Sequence, residues 1–543
     1  MSGTGNLNRE RLKMAIETDV LVVGAGPAGL SAAIALRRGG YKGRVIVLDK
    51  GRSPGSHVLS GCIVDPSGFK GVLTDEEVSK LPVEAYANKE SFRSILSKNC
   101  SIKIPWVPPM MHSKGYPVAS LTKIAAAMTK IATGEGVEVC TGYAVVELIE
   151  ENGRVVGART GEKGVDKNGA KKSNYLPSEE IRAKYVILAE GGCGILTERL
   201  IAAKGLQGVR PQTYAVGVKE LIEVPAKEGS GGTVMHTFGY PADMRTYGGG
   251  FVYHVSDSQV MVGYAYALDY RKSEVDVHRL FRRFKATKAV QDHIAGGKTV
   301  AYGAKVIPEG GFYSVPTPYA PGVLIVGDGA GLLDSLRIKG IHIAMQSGAA
   351  AAKAIIEGGE DVGARYFELL KATSGWKEMK RVRNVRAPFS TWMPFGVMSA
   401  GFAWMTFGKF PFWRVGGLED GDAAETRPCT EAQVEAETKD DPPPSPTSPD
   451  RLTDVFMSGT IHDEDQPCHL KIGDKAKCAE CMEKFRAPCT RFCPAEVYRL
   501  DEGNLEIDFS NCLHCKTCKI KCPMGNVDWT FPQGGDGPRY TRM

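Results

Sequence analysis

The chain has 543 residues, enough for more than one core, and its 43% hydrophobic and 24% charged content is ordinary for a soluble or surface-bound globular protein. A net charge of +6 is small against 68 basic and 62 acidic residues, and no basic stripe or arginine-rich segment marks a nucleic-acid partner. Eight of the fourteen cysteines fall between Cys478 and Cys522, a clustering that reads as metal ligands in a reducing compartment rather than a disulfide framework.

The amino terminus, MSGTGNLNRERLKMAIETDV, has no apolar core of the secretory kind, so no secretory signal is expected. The next stretch, DVLVVGAGPAGLSAAIALRR, predicts a strand, a tight glycine turn and a helix, and RVIVLDK predicts a second strand, which makes a βαβ opening. Within the turn, Gly24 permits the bend, Gly26 lets backbone approach a pyrophosphate, and Gly29 lets helix and strand pack closely. The helix amino terminus offers free N–H groups to phosphate. Asp49 ends the second strand, where a carboxylate is expected to meet an adenosine ribose. A glycine-rich turn that merely closes a βαβ unit is the plainer alternative.

Further strand-like runs, VEVCTGYAVVELI, KYVILAEGG and GVLIVGDGAG, lie far apart, so the sheet is expected to be discontinuous with another region inserted. Asp328 follows the last of these runs, where a carboxylate meets the ribityl hydroxyls in flavoproteins with two dinucleotide folds. Order and spacing therefore favour FAD over NAD.

Residues 387–408, APFSTWMPFGVMSAGFAWMTFG, carry no charge over 22 positions, and as one helix would span about 33 Å. Pro394 and several glycines interrupt the run, and Trp392, Trp404 and Trp413 suit an interfacial surface better than a span. Arg381, Arg383 and Arg386 before it, with Lys409 and Arg414 after, are placed to meet anionic headgroups. IPWVPPMMH (104–112), with Trp106, Met110 and Met111, is a second apolar finger. Ordinary core is the competing reading of both. Residues 416–450 are acidic and proline-rich and predict a linker with little structure of its own.

The cysteine-rich end contains Cys512-x2-Cys515-x2-Cys518-x3-Cys522-Pro523. In ferredoxins of this spacing the first three cysteines hold one 4Fe–4S cube and the fourth reaches another. Cys493, also followed by proline, closes the first cube. By the same rule Cys478, Cys481 and Cys489 with Cys522 would hold a second cube; a single cube with four spare thiols is the plainer alternative. Thiolates are soft enough for iron–sulfur clusters, and the run of x2 spacings argues against zinc.

Together with HVLSGCIVDP, TYGGGFVYH, GGKTVAYGAK, EGGFYSVP, IKGIHIAMQSG, SGTIHDEDQPCHL, RFCPAEVY, CLHCKTC and GNVDWTFPQGGDGPRY, these parts resemble the electron-transfer flavoprotein–quinone oxidoreductases over nearly the whole chain. The resemblance implies a monotopic protein on the inner (cytoplasmic or matrix-side) membrane face. Its partners would be reduced electron-transfer flavoprotein, a membrane quinone (ubiquinone or menaquinone) and the lipid bilayer surface. Electrons would pass through 4Fe–4S and FAD to quinone, giving quinol, with no catalytic side chain needed beyond cofactor placement. It implies one cluster on Cys493, Cys512, Cys515 and Cys518, and quinone near Tyr247, Gly248 and Gly249. Asp334, Gly340, Ile341 and His342 would lie beside the flavin, His342 being equally readable as a core histidine. Two departures stand out. The extra cysteines look more like the ferredoxin-like subunits of electron-bifurcating complexes. Ile341 and Ile343 replace the usual threonines and Asp334 an asparagine, which should lower the flavin potential.

The expected fold is α/β: a two-dinucleotide-binding-fold FAD domain with an inserted quinone-binding α+β region, plus a C-terminal ferredoxin-like 4Fe–4S domain. Residues 1–415 would form the discontinuous FAD domain, with the insertion at about 205–320 and a membrane-associated stretch at 387–413. Residues 416–450 would link it to the iron–sulfur domain at 451–543. The rival readings are a flavin-dependent reductase of isoprenoid double bonds and an electron-relay subunit of a larger bifurcating complex.

Overall fold

A computed structural model describes residues 15–108, 111–337, 339–439 and 441–543. The segment before Ala15, Met110 and the side chain of Trp404, all used above, lie outside the described residues. Ile16–Val23 pairs in parallel with Val45–Asp49 on one side and Glu180–Leu188 on the other, and Val323–Ile325 joins the latter in parallel. Val20, Leu21 and Val22 are fully buried because helices cover the sheet, which is why the strand is an unbroken apolar run rather than an alternating one. Helix Pro27–Arg38 packs closely on helix Ile341–Glu357: a Cβ on Gly348 would come within 2.1 Å of the Ala28 carbonyl. Segments 300 residues apart thus make one α/β unit, as the scattered strand runs imply.

The second sheet has seven strands. Its order is Lys298–Pro308, Tyr214–Glu223, Gln259–Ala267, Gly248–Ser256, Thr233–Gly239, Lys89–Ser97 and Cys100–Lys103. The last two strands come from upstream of the 205–320 window, so the inserted sheet borrows its edge from the first part of the chain.

The acidic segment after Gly416 is more ordered than its composition predicts. It forms helix Glu431–Thr438 behind a Thr430 capping box. Arg283 pairs with Glu437 at 2.6 Å and Asp441 at 3.0 Å, and Arg271 pairs with Glu425 at 3.0 Å. Nor is the cysteine module a bead on a tether. Tyr302 Oη donates to the Pro494 carbonyl at 2.9 Å, and Tyr302, Val306, Phe492 and Tyr498 share one apolar core.

The uncharged stretch folds as two short helices, Arg386–Phe389 and Met393–Met405. Among the described residues no helix is long and apolar enough to cross a membrane.

Candidate redox site

A cavity of about 400 Å³ is lined by the glycine turn, both sheets, the uncharged stretch and the cysteine module. At one end lie Gly24 and Gly26. Gly24 takes φ +112°, and a Cβ there would stand 2.3 Å from the Ala189 carbonyl oxygen, so this glycine is set by the protein itself. A Cβ on Gly29 would meet the Gly24 carbonyl at 2.1 Å, the close packing read from sequence. Gly26 differs: nothing lies within 4 Å of its missing Cβ, which leaves the open cradle that a diphosphate needs.

Asp49 lines the cavity with both carboxylate oxygens already engaged. Oδ2 accepts from Ala25 N–H at 2.8 Å and Oδ1 from Gly51 N–H at 2.7 Å. The residue read as a ribose acceptor therefore also locks the phosphate turn to the second strand. Asp328 lines the cavity after the strand Val323–Ile325, and burial raises its carboxyl to about 6 against the pull of Lys305.

Sequence reasoning missed the lysines. Lys50, Lys305, Lys339 and Lys516 all line the cavity. Burial, then the charges of Lys516 and Lys305, bring the Lys50 ammonium down to about 7; burial brings Lys305 and Lys339 to about 8. Such a field of buried cations suits an anionic group, as a dinucleotide with its diphosphate is. Lys50 and Lys516 lie 4.9 and 5.1 Å from the Trp529 ring, which joins the flavin end to the cysteine module. Only the position of Lys50, directly after Asp49, was a local signal.

Gly340, Ile341 and His342 line the cavity at the uncapped start of helix Ile341–Glu357, where free N–H groups favour negative charge. The pair Ile341 and Ile343 separates: Ile341 faces the cavity, whereas Ile343 is fully buried against Gly375. Asp334 does not line the cavity either. It sits behind Leu333 and Arg337, its Oδ1 accepting the N–H groups of Leu336 at 2.9 Å and Arg337 at 3.0 Å. Burial and Glu378 raise its carboxyl to about 7, so the added negative charge expected from sequence is largely neutralised below that pH. His342 is both a lining residue and a packed one: its Nε2 faces Glu378 at 3.3 Å and it is 1% exposed. Arg337 ties this group together, donating to Glu378 at 2.6 Å and Asp65 at 2.9 Å.

At the other end lie Tyr247, Gly248 and Gly249, joined by Phe389, Met393 and Val397 of the uncharged stretch and by Met111 of the second finger. Gly248 and Gly249 open strand Gly248–Ser256, and a Cβ on Gly249 would meet the Thr237 carbonyl at 2.3 Å. Arg386 is not a headgroup contact. It is buried, pairs with Asp269 at 3.0 Å and Glu309 at 3.6 Å, and lies over the Tyr247 ring. Trp106, Trp392, Met398, Met405, Phe407, Phe412 and Trp413 are exposed, and so are the cations Arg381, Lys409 and Arg414.

All fourteen cysteines are free thiols. Cys493, Cys512, Cys515 and Cys518 are buried: Cys493 ends helix Cys489–Phe492, Cys512 follows Phe509–Asn511, Cys518 lies in helix Thr517–Lys521, and Cys515 reaches the cavity wall. His514 and Lys516 take left-handed φ of 54° and 67°, curling the backbone so that His514 N–H approaches Cys512 Sγ at 3.4 Å. A curl of N–H groups around sulfur is what an iron–sulfur cluster uses. The imidazoles of His462, His469 and His514, unnoticed in the sequence, meet beside this loop with ring nitrogens within 4.8 Å of one another. The other quartet, Cys478, Cys481, Cys489 and Cys522, lies outside the cavity wall.

Fold and site define an FAD-dependent iron–sulfur oxidoreductase. Residues 18–223 match a family model described as pyridine nucleotide-disulphide oxidoreductase. Residues 214–307 match one described as ETF-QO, ubiquinone-binding, and residues 446–541 one described as electron transfer flavoprotein-ubiquinone oxidoreductase, 4Fe-4S. The chain is 37% identical to the mitochondrial electron transfer flavoprotein-ubiquinone oxidoreductase of Oryza sativa subsp. japonica, covering 97% of this chain and 93% of that one. It is 36% identical to the Pseudomonas aeruginosa protein of that name, over 97% and 99% of the two chains. A geranylgeranyl bacteriochlorophyll reductase-like structure from Thermoplasma acidophilum shares the fold at TM-score 0.51 and 19% identity, over 72% of this chain and 96% of that one. The chain belongs to the electron transfer flavoprotein-ubiquinone oxidoreductase family.

Proposed function

We propose that this chain takes single electrons from reduced electron-transfer flavoprotein and delivers them in pairs to a membrane quinone. One observation carries the reading: the same cavity touches the cysteine loop at Cys515, the phosphate cradle at Gly26 and the apolar mouth at Phe389 and Val397. When bound, FAD supplies the step between one-electron and two-electron chemistry, and the 4Fe–4S cluster supplies the one-electron inlet. Gly24, Gly26, Gly29, Asp49 and Asp328 form the dinucleotide site. Cys493, Cys512, Cys515 and Cys518 hold the cluster next to the flavin. Gly340, Ile341 and His342 present a helix start to the flavin end, and Tyr247, Gly248 and Gly249 form the quinone floor. The Tyr247 hydroxyl donates to the Ser335 carbonyl at 2.8 Å, so it positions the ring rather than supplying a proton.

The exposed tryptophans and phenylalanines around the mouth support attachment to a lipid surface, with quinone entering from the bilayer past Phe389 and Met393. The division at 1–415, 416–450 and 451–543 serves this path, with the last module as inlet and the stretch 387–413 as outlet. Menaquinone remains as good a substrate as ubiquinone on these residues. A lipid-reductase reading has no use for the inlet module and is not favoured.

The test is anaerobic. Catalytic quinol formation from a short-chain quinone, dependent on reduced electron-transfer flavoprotein, is the expected result. Reduced flavin that ignores quinone would overturn the reading.

A further inference from the structure

Cys478 and Cys481 stand one turn apart on helix Lys475–Phe485, Cys489 opens helix Cys489–Phe492, and Cys522 caps helix Thr517–Lys521. These four sulfurs come from three elements, and one residue ties two of the elements together. Asn526 donates its side-chain N–H to Cys478 Sγ at 3.1 Å and its backbone N–H to Cys522 Sγ at 3.4 Å. Hydrogen bonds of this kind to sulfur are a feature of iron–sulfur sites. The chain enters Cys489 through Arg486 and Ala487, both at left-handed φ of 55° and 46°, a conformation that non-glycine residues hold only when their surroundings demand it.

The two quartets are interleaved in a specific way. Cys489 and Cys493 flank one short helix, and Cys518 and Cys522 lie one turn apart on another, so each helix gives one thiol to each quartet. Four residues of helix separate the members of each pair by about 6 Å along the axis. This is the exchange of the fourth ligand that the ferredoxin spacing describes. Zinc fits less well. Tetrahedral zinc with bonds of about 2.3 Å holds its sulfurs about 3.8 Å apart, whereas among the described residues no three of these cysteine sulfurs come within 4.8 Å of one another.

We infer that Cys478, Cys481, Cys489 and Cys522 hold a second 4Fe–4S cluster, placed outside the first as the port through which electrons enter. Position supports the port. Cys515 of the inner quartet reaches the cavity wall and no outer cysteine does, while Cys478 and Cys489 are partly exposed. One electron leaves the reduced flavoprotein donor for the outer site, and its transfer inward returns the outer site to the oxidised state. Two such passes supply the two electrons that, with two protons, turn a quinone into a quinol. The direction of flow rests on the function proposed above; the cluster itself does not.

The experiment separates the two. The full chain, reconstituted anaerobically with iron and sulfide, should carry about eight irons per FAD, and its reduced form should show the electron paramagnetic resonance of two interacting clusters. A fully reconstituted chain holding about four irons, with a single-cluster spectrum, overturns the second site. The double variant Cys481→Ser/Cys489→Ser should lose half the iron, keep FAD and show one isolated cluster; retention of all the iron overturns the assignment of ligands. In that variant, reduction of the remaining cluster by electron-transfer flavoprotein should slow more than tenfold while reduction by dithionite is unchanged. An unchanged rate with the protein donor overturns the port and leaves the cluster assignment standing.

Discussion

The guanidinium of Arg386 lies 4.9 Å from the centre of the Tyr247 ring, with Phe389 on that ring at 4.7 Å. A buried cation, held by Asp269 and Glu309, thus fixes the floor of the apolar mouth. Removing one member of a buried ion group leaves the others uncompensated, at about 3–5 kcal/mol. Arg386→Met should lower unfolding stability by that amount in urea and raise the KM for quinone more than it lowers kcat. Stability equal to wild type would show the pairing to be idle.

The two ends of the glycine turn should answer differently to a side chain. Gly24→Ala drives a methyl into the Ala189 carbonyl and should impair folding. Gly26→Val has room in the open cradle, so the protein should fold with its normal circular dichroism but purify with FAD content reduced at least tenfold. Flavin content at the wild-type level in Gly26→Val would place the diphosphate elsewhere.

Asp65 carries an acid-stability signature. Burial works against its charge, but hydrogen bonds from Ser67 and the neighbouring charge of His342, with Arg337, hold its carboxyl down at about 2. A folded-state value below the unfolded one means stability that is present above pH about 4 and lost as pH falls through about 2. Denaturation curves of Asp65→Asn should show a shallower loss across that window than wild type, at the cost of lower stability at pH 7.

Asp334 has the opposite sign. With its carboxyl raised to about 7, the folded chain holds a proton that the unfolded chain releases near pH 4. Its contribution to stability is therefore greatest below pH 4 and declines as pH rises to about 7. Asp334→Asn should flatten this decline, and an unaltered pH profile would count against the raised value.

Ile341 is the side chain of its pair that faces the cavity, so Ile341→Thr restores a hydroxyl there. One new hydrogen bond to reduced flavin is worth about 0.5–1.5 kcal/mol, which should raise the flavin midpoint potential. Ile343→Thr should leave the potential alone and cost stability instead. A redox titration in which both variants match wild type would remove the hydroxyl argument.

Phe407, Phe412 and Trp413 are exposed on the segment that follows the mouth helix, and the Phe412 and Trp413 rings meet edge to face at 5.0 Å. The triple change to glutamate should abolish co-sedimentation with anionic vesicles while preserving turnover with a water-soluble short-chain quinone. Equal vesicle binding would move the lipid-facing surface elsewhere.

The parts of the site legible in the sequence are those whose chemistry is set by spacing along the chain: the glycine turn with Asp49, and the cysteine runs. The α/β class was legible for the same reason, since buried parallel strands show as apolar runs. What escaped depends on convergence in space. Lys50, Lys305 and Lys516 come from three distant segments, and nothing local announces that they share a wall. Arg386 borders the uncharged stretch and so reads as a headgroup ligand, but its partners Asp269 and Glu309 turn it inward. The isoleucine pair was decidable in principle: residues two apart on a helix point about 200° apart, so both could not face one cavity.

The cysteine module supplies Leu513, His514, Cys515, Lys516 and Trp529 to the cavity wall. The flavin compartment is therefore finished only when the last ninety-odd residues have folded, and their folding draws on cluster insertion. Binding that completes a shared wall is reciprocal: iron starvation during expression should yield protein poor in flavin as well as in iron, and the order in which the two are loaded becomes a property of the chain's own assembly.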